Sequence, residues 1–383
     1  MPGAAASECR DIVLVGGGHS HVGVLRRFAQ KPLSNVRLHL VCRDTHTPYS
    51  GMLPGYVAGH YTYDDVHIDL PALAQRAGAY FYQSEVNGLE RQAQQVLCDN
   101  RPPLHYDRVA INIGSTPQLS GRYADNEYAL AVKPIQRFNA RWLALLERVQ
   151  AHAGPLHIAV VGGGAGGVEL LLAMQYRLQN ERKQYGHSPQ SLRFSLFTRG
   201  NCLLPTHNQR VQRRFMRVLQ SRGVAVHLNA PVSDVDKTGL IVENTQHHSA
   251  DEVIWVTRAR GAPWLENTGL ALDTHGFIQV TDTLTSLSDT KVFAAGDVAT
   301  MVNHPREKAG VFAVRQARPL AQNLRRSIAN QPLIAYRPQR RWLALISTGD
   351  RYAVASRGRL YASAAWLWRW KDAIDRRFMH GTI

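Results

Sequence analysis

The sequence predicts an α/β fold in which two units share one local pattern. In each unit an apolar run leads into a glycine-rich turn and then a helix: residues 12–15 precede the turn at 16–18, and residues 158–161 precede the turn at 162–167. Strands that are apolar throughout are typical of parallel sheets covered on both faces. A small α+β region is expected at the C-terminus, in residues 336–383.

Composition limits the classes of protein to consider. The chain has 383 residues, 44% hydrophobic and 19% charged, which is enough for two or three domains with real cores. An excess of 45 Lys and Arg over 29 Asp and Glu gives a net charge of +16, which favours acidic partners such as dinucleotides or anionic headgroups. The basic residues are scattered and lack an RNA-binding signature, so no nucleic-acid partner is expected.

The cysteines and the apolar runs predict where the protein works. Cys9, Cys42, Cys98 and Cys202 are far apart, without a C-x-x-C pair or metal-ligand spacing, so we expect reduced thiols and no metal. The N-terminus lacks the apolar segment of a signal peptide, and no apolar run reaches the ~18 residues of a membrane span. A cytoplasmic location is expected, with any contact to the inner face of the cell membrane being peripheral.

The first turn is a candidate cradle for a pyrophosphate, because glycines let backbone N–H groups reach an anion at a helix N-terminus. An ordinary tight turn is the alternative. His21 stands where the third fingerprint glycine is expected, and the second strand ends in Arg43 and Asp44 where an acid usually holds the adenosine ribose. We therefore expect an unusual adenosine end, with Arg43 as a candidate. The other candidate ligands in this region are Gly16, Gly17, Gly18, His19, Ser20 and His21.

Two further segments of the first unit carry candidate contacts. Residues 47–55 form a glycine- and proline-rich loop that is also apolar, which predicts a loop lying over a flat apolar group, or one packed on its own core. A buried strand at residues 106–114 then ends in a sharp turn. The candidates from these segments are Pro48, Gly51, Met52, Gly114 and Ser115.

The second turn is a full G-x-G-x-x-G match through Gly162, Gly164 and Gly167, followed by a helix. Ala165 lies within it as a further candidate. The next strand ends in Thr198 and Arg199, where an NADH-selective turn carries an acid, so NADPH is as plausible as NADH.

A late apolar strand ends in Gly296 and Asp297, whose carboxylate could accept hydrogen bonds from sugar-like hydroxyls. The order of the motifs at residues 16–21, 114–117, 162–169 and 293–297 resembles the pyridine nucleotide-disulfide oxidoreductase superfamily over nearly the whole chain. The resemblance implies two Rossmann-like domains. An FAD-binding domain (1–124 and 264–335) is split by an NAD(P)-binding domain (125–263). It also implies FAD with its pyrophosphate on residues 16–18 and its ribityl chain on Asp297, and NADH or NADPH on residues 162–167.

Within that superfamily the likeness is narrower. No redox cysteine pair is present, and residues 49–54 are similar to the flavin-side loop of type II NADH dehydrogenases. Residues 46–55 and 308–315 also resemble the flavoprotein module fused to selenide, water dikinase. Sulfide:quinone reductases look similar but need well-placed cysteines. Quinone-reducing members carry two glutamines after the Gly-Asp strand, and this chain has Gln316 at one place and Val311 at the other.

These likenesses imply an NAD(P)H dehydrogenase (quinone)-like flavoenzyme that passes electrons through FAD to a second acceptor, expected to be a quinone. Glu169 matches a glutamate beside the nicotinamide and is the first catalytic candidate; the alternative is a glutamate that only complements the helix dipole. Lys308 is the second, as a cation stabilising negative charge, against a solvated loop lysine. The alternative functions are a redox-sensing binding module and an oxidoreductase linked to selenium metabolism.

The C-terminal segment, residues 365–379, predicts an amphipathic helix. Trp366, Trp370, Ile374 and Phe378 recur every four residues, with basic side chains mostly elsewhere. The pattern fits a helix lying in a membrane interface. It fits equally well a helix packed on its own protein or on the partner of a homodimer.

Overall fold

The computed structural model of the protein describes residues 9–117, 129–132, 135–257 and 259–381. The chain divides into two compact units. Unit 1 consists of Met1–Ser50, His67–Thr116 and Ala259–Gln339, and unit 2 of Gly51–Val66, Pro117–Arg258 and Arg340–Ile383. The predicted boundary between residues 124 and 125 lies outside the described residues, and the assignment of an FAD and an NAD(P) domain stays a prediction.

Strands and helices alternate along most of the chain. The strands are β1 (Arg10–Val15), β2 (Val36–Cys42), β3 (His46–Pro48), β4 (His67–Asp69), β5 (Ala79–Gln83), β6 (Val86–Glu90), β7 (Gln95–Cys98), β8 (Leu104–His105), β9 (Arg108–Ile111), β10 (Thr116–Pro117), β11 (Ala129–Ala131), β12 (Leu156–Val161), β13 (Leu192–Phe197), β14 (Ala225–His227), β15 (Val232–Asp236), β16 (Gly239–Val242), β17 (Gln246–Ser249), β18 (Glu252–Trp255), β19 (Ala259–Arg260), β20 (Ile278–Val280), β21 (Val292–Ala294), β22 (Ala299–Met301), β23 (Ala344–Ser347), β24 (Ala353–Arg357) and β25 (Leu360–Ala364). The helices are α1 (His19–Gln30), α2 (Leu53–Val57), α3 (Tyr63–Val66), α4 (Leu70–Arg76), α5 (Ile135–Ala151), α6 (Ala165–Gln184), α7 (Gln209–Ser221), α8 (Gly310–Ile328) and α9 (Ala365–Met379).

Unit 1 is built on a five-stranded parallel sheet in the order β21-β9-β1-β2-β5. The central strand β1 is buried from its second residue onward, as its apolar run predicts. Helices α1 and α8 pack closely, and a β-carbon on Gly23 would collide with Ala317, so this crossing requires glycine. Because the strands are parallel, the residues after β1, β9 and β21 lie at one edge of the sheet.

Unit 2 repeats the plan with a five-stranded parallel sheet in the order β11-β18-β12-β13-β14. Helices α5, α6 and α7 share its main apolar core, and the antiparallel sheet β15-β16-β17 contributes a second buried cluster. The antiparallel sheet β23-β24-β25 and α9 form the C-terminal region. No helix among the described residues is long and apolar enough to cross a membrane.

The predicted α/β fold with parallel, Rossmann-like sheets is confirmed. Two segments add detail to this plan. The edge strand β5 is parallel to β2, and the chain leaves the sheet after Ser84 donates its backbone N–H to Cys42, before β6 and β7 pair in antiparallel fashion. The loop at residues 47–55 contains β3 and the start of α2, which buries Met52 and Leu53.

Candidate active site

The first glycine turn connects β1 to α1 in unit 1. Gly16 has φ +90° and donates its N–H to the Val41 carbonyl at 2.8 Å, which continues the sheet by one bond. A β-carbon at this position would lie 2.7 Å from the carbonyl oxygen of Asn112, so only glycine fits. Gly18 is the N-cap of α1 and donates its N–H to the same Asn112 oxygen at 3.1 Å.

Asn112, directly after β9, holds this turn with its side chain. Its Oδ1 accepts from the backbone N–H groups of Ser20 at 3.0 Å and His21 at 3.2 Å, and its Nδ2 donates to the Ala295 carbonyl at 2.6 Å. The amide therefore joins the first turn to the segment that carries Asp297. Sequence reasoning missed this role; the signal was a polar residue directly after a buried apolar strand.

The two histidines of the turn have different surroundings. His21 is fully buried and its Nδ1 lies 2.7 Å from the Gly16 carbonyl oxygen. Burial lowers the pKa of His21 to about 4, although the bond to Gly16 opposes the shift, so the ring is neutral at pH 7. His19 Nε2 lies 3.2 Å from the Pro48 carbonyl oxygen. Pro48 is therefore placed beside the first turn.

Gly296 and Asp297 follow β21 at the same edge of the sheet. Gly296 has φ +73° and donates its N–H to Gln316 Oε1 at 2.6 Å, so the amide of Gln316 supports this turn. Asp297 and Lys308 line one small cavity. Lys308 Nζ donates to the Ala299 carbonyl at 2.7 Å and lies 3.9 Å from the Phe277 ring centroid. Burial lowers the pKa of Lys308 to about 8, opposed by Asp273 and Asp297.

Arg43 stands at the end of β2, where an acidic residue that holds the adenosine ribose is usually found. Arg43 forms ion pairs with Asp44 at 3.1 Å and Glu85 at 3.8 Å, and it lines an open cleft of about 590 Å³. The guanidinium of Arg101 lies 3.8 Å from the centroid of the Tyr82 ring in the same cleft.

Three other candidates of unit 1 lie near the carboxyl ends of its strands. Gly17 lies next to the end of β2, since a β-carbon on it would be 3.3 Å from Cys42 Sγ. Gly114, at φ +74°, has no atom within 4 Å of the β-carbon position and so borders open space. Ser115 beside it is buried.

The second turn, in unit 2, connects β12 to α6. Gly162, at φ +136°, donates its N–H to the Phe197 carbonyl at 2.8 Å, and a β-carbon on Gly167 would collide with the Gly162 carbonyl oxygen. Gly164, by contrast, borders open space. Ala165 begins α6, and no described side chain accepts from the first backbone N–H groups of this helix. Arg199 is exposed after the end of β13.

Glu169 lies on the first turns of α6 and meets the C-terminal region of the same unit. Its Oε1 accepts from the Ser347 backbone N–H at 2.7 Å. Burial raises the pKa of Glu169 to about 7, while the cation of Lys371 opposes the shift. Lys371 Nζ donates to Asp375 at 2.7 Å and to the Gly51 carbonyl at 2.5 Å.

Lys371 and Ser347 were missed as site residues. Burial opposes the charge of Lys371, but the carboxylates of Asp375 and Glu169 outweigh it and raise the Lys371 pKa. The signal was a lysine on the face of α9 that also carries the buried Leu367 and Phe378. Gly51, predicted from the loop, belongs to this cluster through its carbonyl.

Two groups bear on metal and redox chemistry. Asp11, His105 and Asp107 lie close enough to share an ion, but Arg37 and Arg10 already pair with their carboxylates, which does not favour a metal. The four cysteines, all within the described residues, are free thiols. Burial raises the thiol pKa of Cys42 and Cys98, so neither is activated as a thiolate.

Each unit thus has a glycine turn at the carboxyl edge of a parallel sheet, directly before a helix N-terminus, and this defines a protein with two dinucleotide-binding folds. The model of the pyridine nucleotide-disulphide oxidoreductase family matches residues 10–321, and the chain belongs to that family.

The chain is similar to several named proteins. It is 22% identical over 335 residues to the NADH dehydrogenase-like protein YutJ of Bacillus subtilis, covering 86% of this chain and 87% of that protein. It is 28% identical over 192 residues to a type II NADH:quinone oxidoreductase of Haemophilus influenzae, covering 48% of this chain and 42% of that one.

Two solved structures share the fold. The sulfide:quinone oxidoreductase of Aquifex aeolicus matches with a TM-score of 0.80 at 16% identity, over 97% of this chain and 92% of that chain. NDH2 of Plasmodium falciparum, in complex with NADH, matches with a TM-score of 0.78 at 16% identity, over 96% and 98%.

Proposed function

We propose that the protein is an NAD(P)H:quinone oxidoreductase that uses FAD and no redox disulfide. Membership of the family supports the nicotinamide and flavin, and the names of several relatives support the quinone. The observation that carries the proposal is the second turn: a helix N-terminus without a side-chain acceptor among the described residues, open space beside Gly164, and Glu169 a turn further on.

The residues of unit 1 fit FAD. Open space borders Gly114, the N-terminus of α1 follows the first turn, and the carboxylate of Asp297 lies at the same edge of the sheet. When bound, FAD would accept two electrons from a nicotinamide and deliver them to a quinone. Residues 16–18 would hold the pyrophosphate and Asp297 the ribityl hydroxyls. Lys308 would stabilise nearby negative charge, since a lysine with a pKa of about 8 is still largely protonated at pH 7.

Glu169 is assigned a proton-handling role. Quinone reduction consumes protons, and a carboxyl group with a pKa of about 7 both takes up and releases a proton at neutral pH. The Ser347 N–H fixes one oxygen of this carboxyl, and Lys371 stabilises its ionised form. In unit 2, Gly162, Gly164, Ala165 and Gly167 would bind the pyrophosphate of NADH or NADPH, with Arg199 beside the adenosine ribose.

The electron acceptor and the nicotinamide are tested together. The purified protein should be yellow, with flavin absorption bands that bleach when NADH or NADPH is added without oxygen. With a water-soluble quinone it should then oxidise the nicotinamide over many turnovers. A flavin that is reduced once and stops would instead establish a redox-sensing module, and a protein without flavin would refute the proposal.

The role of Glu169 is tested by Glu169→Gln. We expect reoxidation of the reduced flavin by a soluble quinone, followed by stopped-flow absorbance, to slow by at least about tenfold, as for loss of an acid–base group. The pH dependence centred near 7 should also disappear from the rate. Glu147→Gln, at an exposed site on α5, is the matched control. An unchanged rate in the Glu169 variant would mean that this glutamate only complements the dipole of α6.

The C-terminal helix is proposed to contact the membrane interface. Trp366 and Trp370 are 59% and 44% exposed, and their rings stack with centroids 6.2 Å apart. Leu367, Asp375 and Phe378 form the buried face instead, so the predicted apolar stripe is exposed only in the first half of α9. Trp at headgroup depth is typical of peripheral proteins. A homodimer that covers these rings is the competing arrangement, and sedimentation equilibrium without lipid would reveal it.

A further inference from the structure

Unit 2 carries a group of exposed arginines that the proposed chemistry does not use. Between residues 182 and 233 the sequence contains no Asp or Glu, and the same is true between residues 351 and 371. The first stretch includes α7, and the second includes β24, β25 and the start of α9. The acidic residues that usually balance a basic surface are therefore missing from both stretches.

Helix α7 presents three of these arginines on one side. Val211, Phe215, Val218 and Leu219 form its buried face. Arg210, Arg213 and Arg217 are exposed and, at 100° per residue, fall within an arc of about 60° on the opposite face. The helix is thus amphipathic, and the charged residues of its outer face are all basic.

The tip of the β24–β25 hairpin lies against the start of this helix. Asn208, the N-cap of α7, donates its side-chain amide to the carbonyls of Gly358 at 2.9 Å and Leu360 at 3.2 Å. Arg357 and Arg359 flank Gly358 and are exposed. A β-carbon on Gly358 would lie 3.3 Å from Arg341 Cδ, which places a further exposed arginine at the tip.

Six arginines therefore form one surface, which we call the arginine surface: Arg210, Arg213, Arg217, Arg341, Arg357 and Arg359. In the part of the chain that the structure describes, none of them is within ion-pair distance of a carboxylate. Guanidinium groups bind phosphate oxygens through two parallel hydrogen bonds. The surface is therefore suited to a set of phosphates.

Two exposed apolar residues of the same unit point to the kind of phosphate. Among the described large hydrophobic residues, Leu360 at 70% and Trp366 at 59% are the most exposed. Leu360 directly follows Arg359 at the hairpin tip, and Trp366 lies at the start of α9, beyond the other end of β25. Apolar side chains flanked by arginines are typical of a contact with a bilayer, where the former enter the interface and the latter meet headgroups. They would gain nothing against a nucleic-acid backbone.

We propose that the arginine surface binds the phosphates of anionic phospholipids and so makes the protein's membrane contact selective for lipid charge. This inference rests on the proposed membrane contact of α9 and adds a second, electrostatic part to it. Each arginine near an anionic bilayer contributes about 1 kcal/mol, and the attraction weakens as salt screens it.

The test is co-sedimentation of the flavin-loaded full-length protein with vesicles of phosphatidylcholine alone or mixed with phosphatidylglycerol. We expect binding to the mixed vesicles that falls with added salt, and little binding to phosphatidylcholine. Replacing Arg210, Arg213 and Arg217 by Gln should weaken partition to mixed vesicles about 100-fold, which corresponds to three lost arginines. Replacing Lys183, Arg193 and Lys237, exposed elsewhere in unit 2, removes the same charge and should have little effect.

Further measurements distinguish a failure of this inference from a failure of the proposed enzyme activity. NADH oxidation with a soluble quinone, measured without vesicles, should be unchanged in both triple variants and confirms that they fold. If the α7 variant does not fold, Arg357→Gln with Arg359→Gln tests the same surface at the hairpin tip.

Three results would overturn the inference. The first is equal binding of the protein to both vesicle types, and the second is an equal loss of vesicle binding in the control variant. The third is that a DNA duplex binds the protein and displaces it from the vesicles. The inference would also be overturned if the double variant Trp366→Ala/Trp370→Ala no longer bound any vesicles while the arginine variants still bound them. That result would still support the proposed membrane contact of α9.

Discussion

The two glycine turns share a backbone plan but differ in what holds them. Gly16 and Gly162 each donate to the neighbouring strand at 2.8 Å, and Asn112 and Val256 each donate back to the strand before the turn at 2.8 Å. Asn112 and Val256 therefore occupy equivalent places. In unit 1 the side-chain amide of Asn112 accepts hydrogen bonds from the start of α1. The side chain of Val256 has only carbon atoms and can form no hydrogen bond to the start of α6.

The third fingerprint position shows the same contrast. Gly167 lies against the Gly162 carbonyl oxygen with no room for a side chain, whereas His21 uses its ring nitrogen to bond the equivalent Gly16 carbonyl. The first turn is thus tied to its own protein and to the strand end that carries Asp297. The second leaves its helix N-terminus open to a ligand.

The largest effect is expected from Asn112→Ala. The change leaves the buried N–H groups of Ser20 and His21 and the Ala295 carbonyl without their partner, at a combined cost of about 3–5 kcal/mol in the free energy of unfolding. Urea unfolding and flavin content per chain are the measurements. Val256→Ala, at the equivalent place in unit 2, should cost only about 1 kcal/mol. Similar losses at the two positions would mean that Asn112 does not distinguish the turns.

The next largest effect is a pH dependence of the free energy of unfolding, which His21 of the first turn causes. The folded-state pKa of His21 is lowered from 6.5 to about 4, so between these values the unfolded chain binds more protons and stability falls as pH falls. Over the whole window this amounts to about 3 kcal/mol. Wild-type protein should therefore lose more stability than His21→Asn between neutral pH and pH near 4.5, measured by urea unfolding.

A matched variant isolates this effect. His275→Asn, at an exposed site in unit 1, should follow the wild-type dependence. Other, half-buried histidines, such as His157 and His227, also have lowered pKa values, so it is the difference between the proteins that reports on His21. If His21→Asn and wild type lose the same stability, His21 does not become charged on unfolding as described.

The sequence predicted backbone features better than side-chain partners. Apolar runs and glycine spacing depend on local sterics, so α9 has the predicted bounds, residues 365–379. Asn112 and Lys371 could not be found this way, because their roles come from contacts with residues far along the chain, such as Ala295 and Gly51. Their sequence neighbours give no sign of those partners, whereas a glycine turn is visible in the spacing of its own residues.

The smallest effects on stability are expected from alanine at the second glycine of each G-x-G pattern, Gly18 in the first turn and Gly164 in the second. Gly18 and Gly164 have nearly the same backbone conformation, with φ −64° and −75°, so alanine is unstrained at both. At Gly18 the methyl group would lie 2.6 Å from the Asn112 carbonyl oxygen and closer still to its side chain, which should cost about 1–3 kcal/mol.

No atom outside the adjoining residues lies within 4 Å of the position that a β-carbon on Gly164 would occupy. Gly164→Ala should therefore change the free energy of unfolding by less than about 1 kcal/mol. Because the methyl group would occupy the space proposed for the pyrophosphate of NAD(P)H, the Kd for the nicotinamide should rise about tenfold. Urea unfolding and anaerobic titration of the flavin spectrum measure the two quantities on the same sample. Gly164→Ala that binds the nicotinamide as tightly as wild type would show that the open space of the second turn is not where the dinucleotide lies.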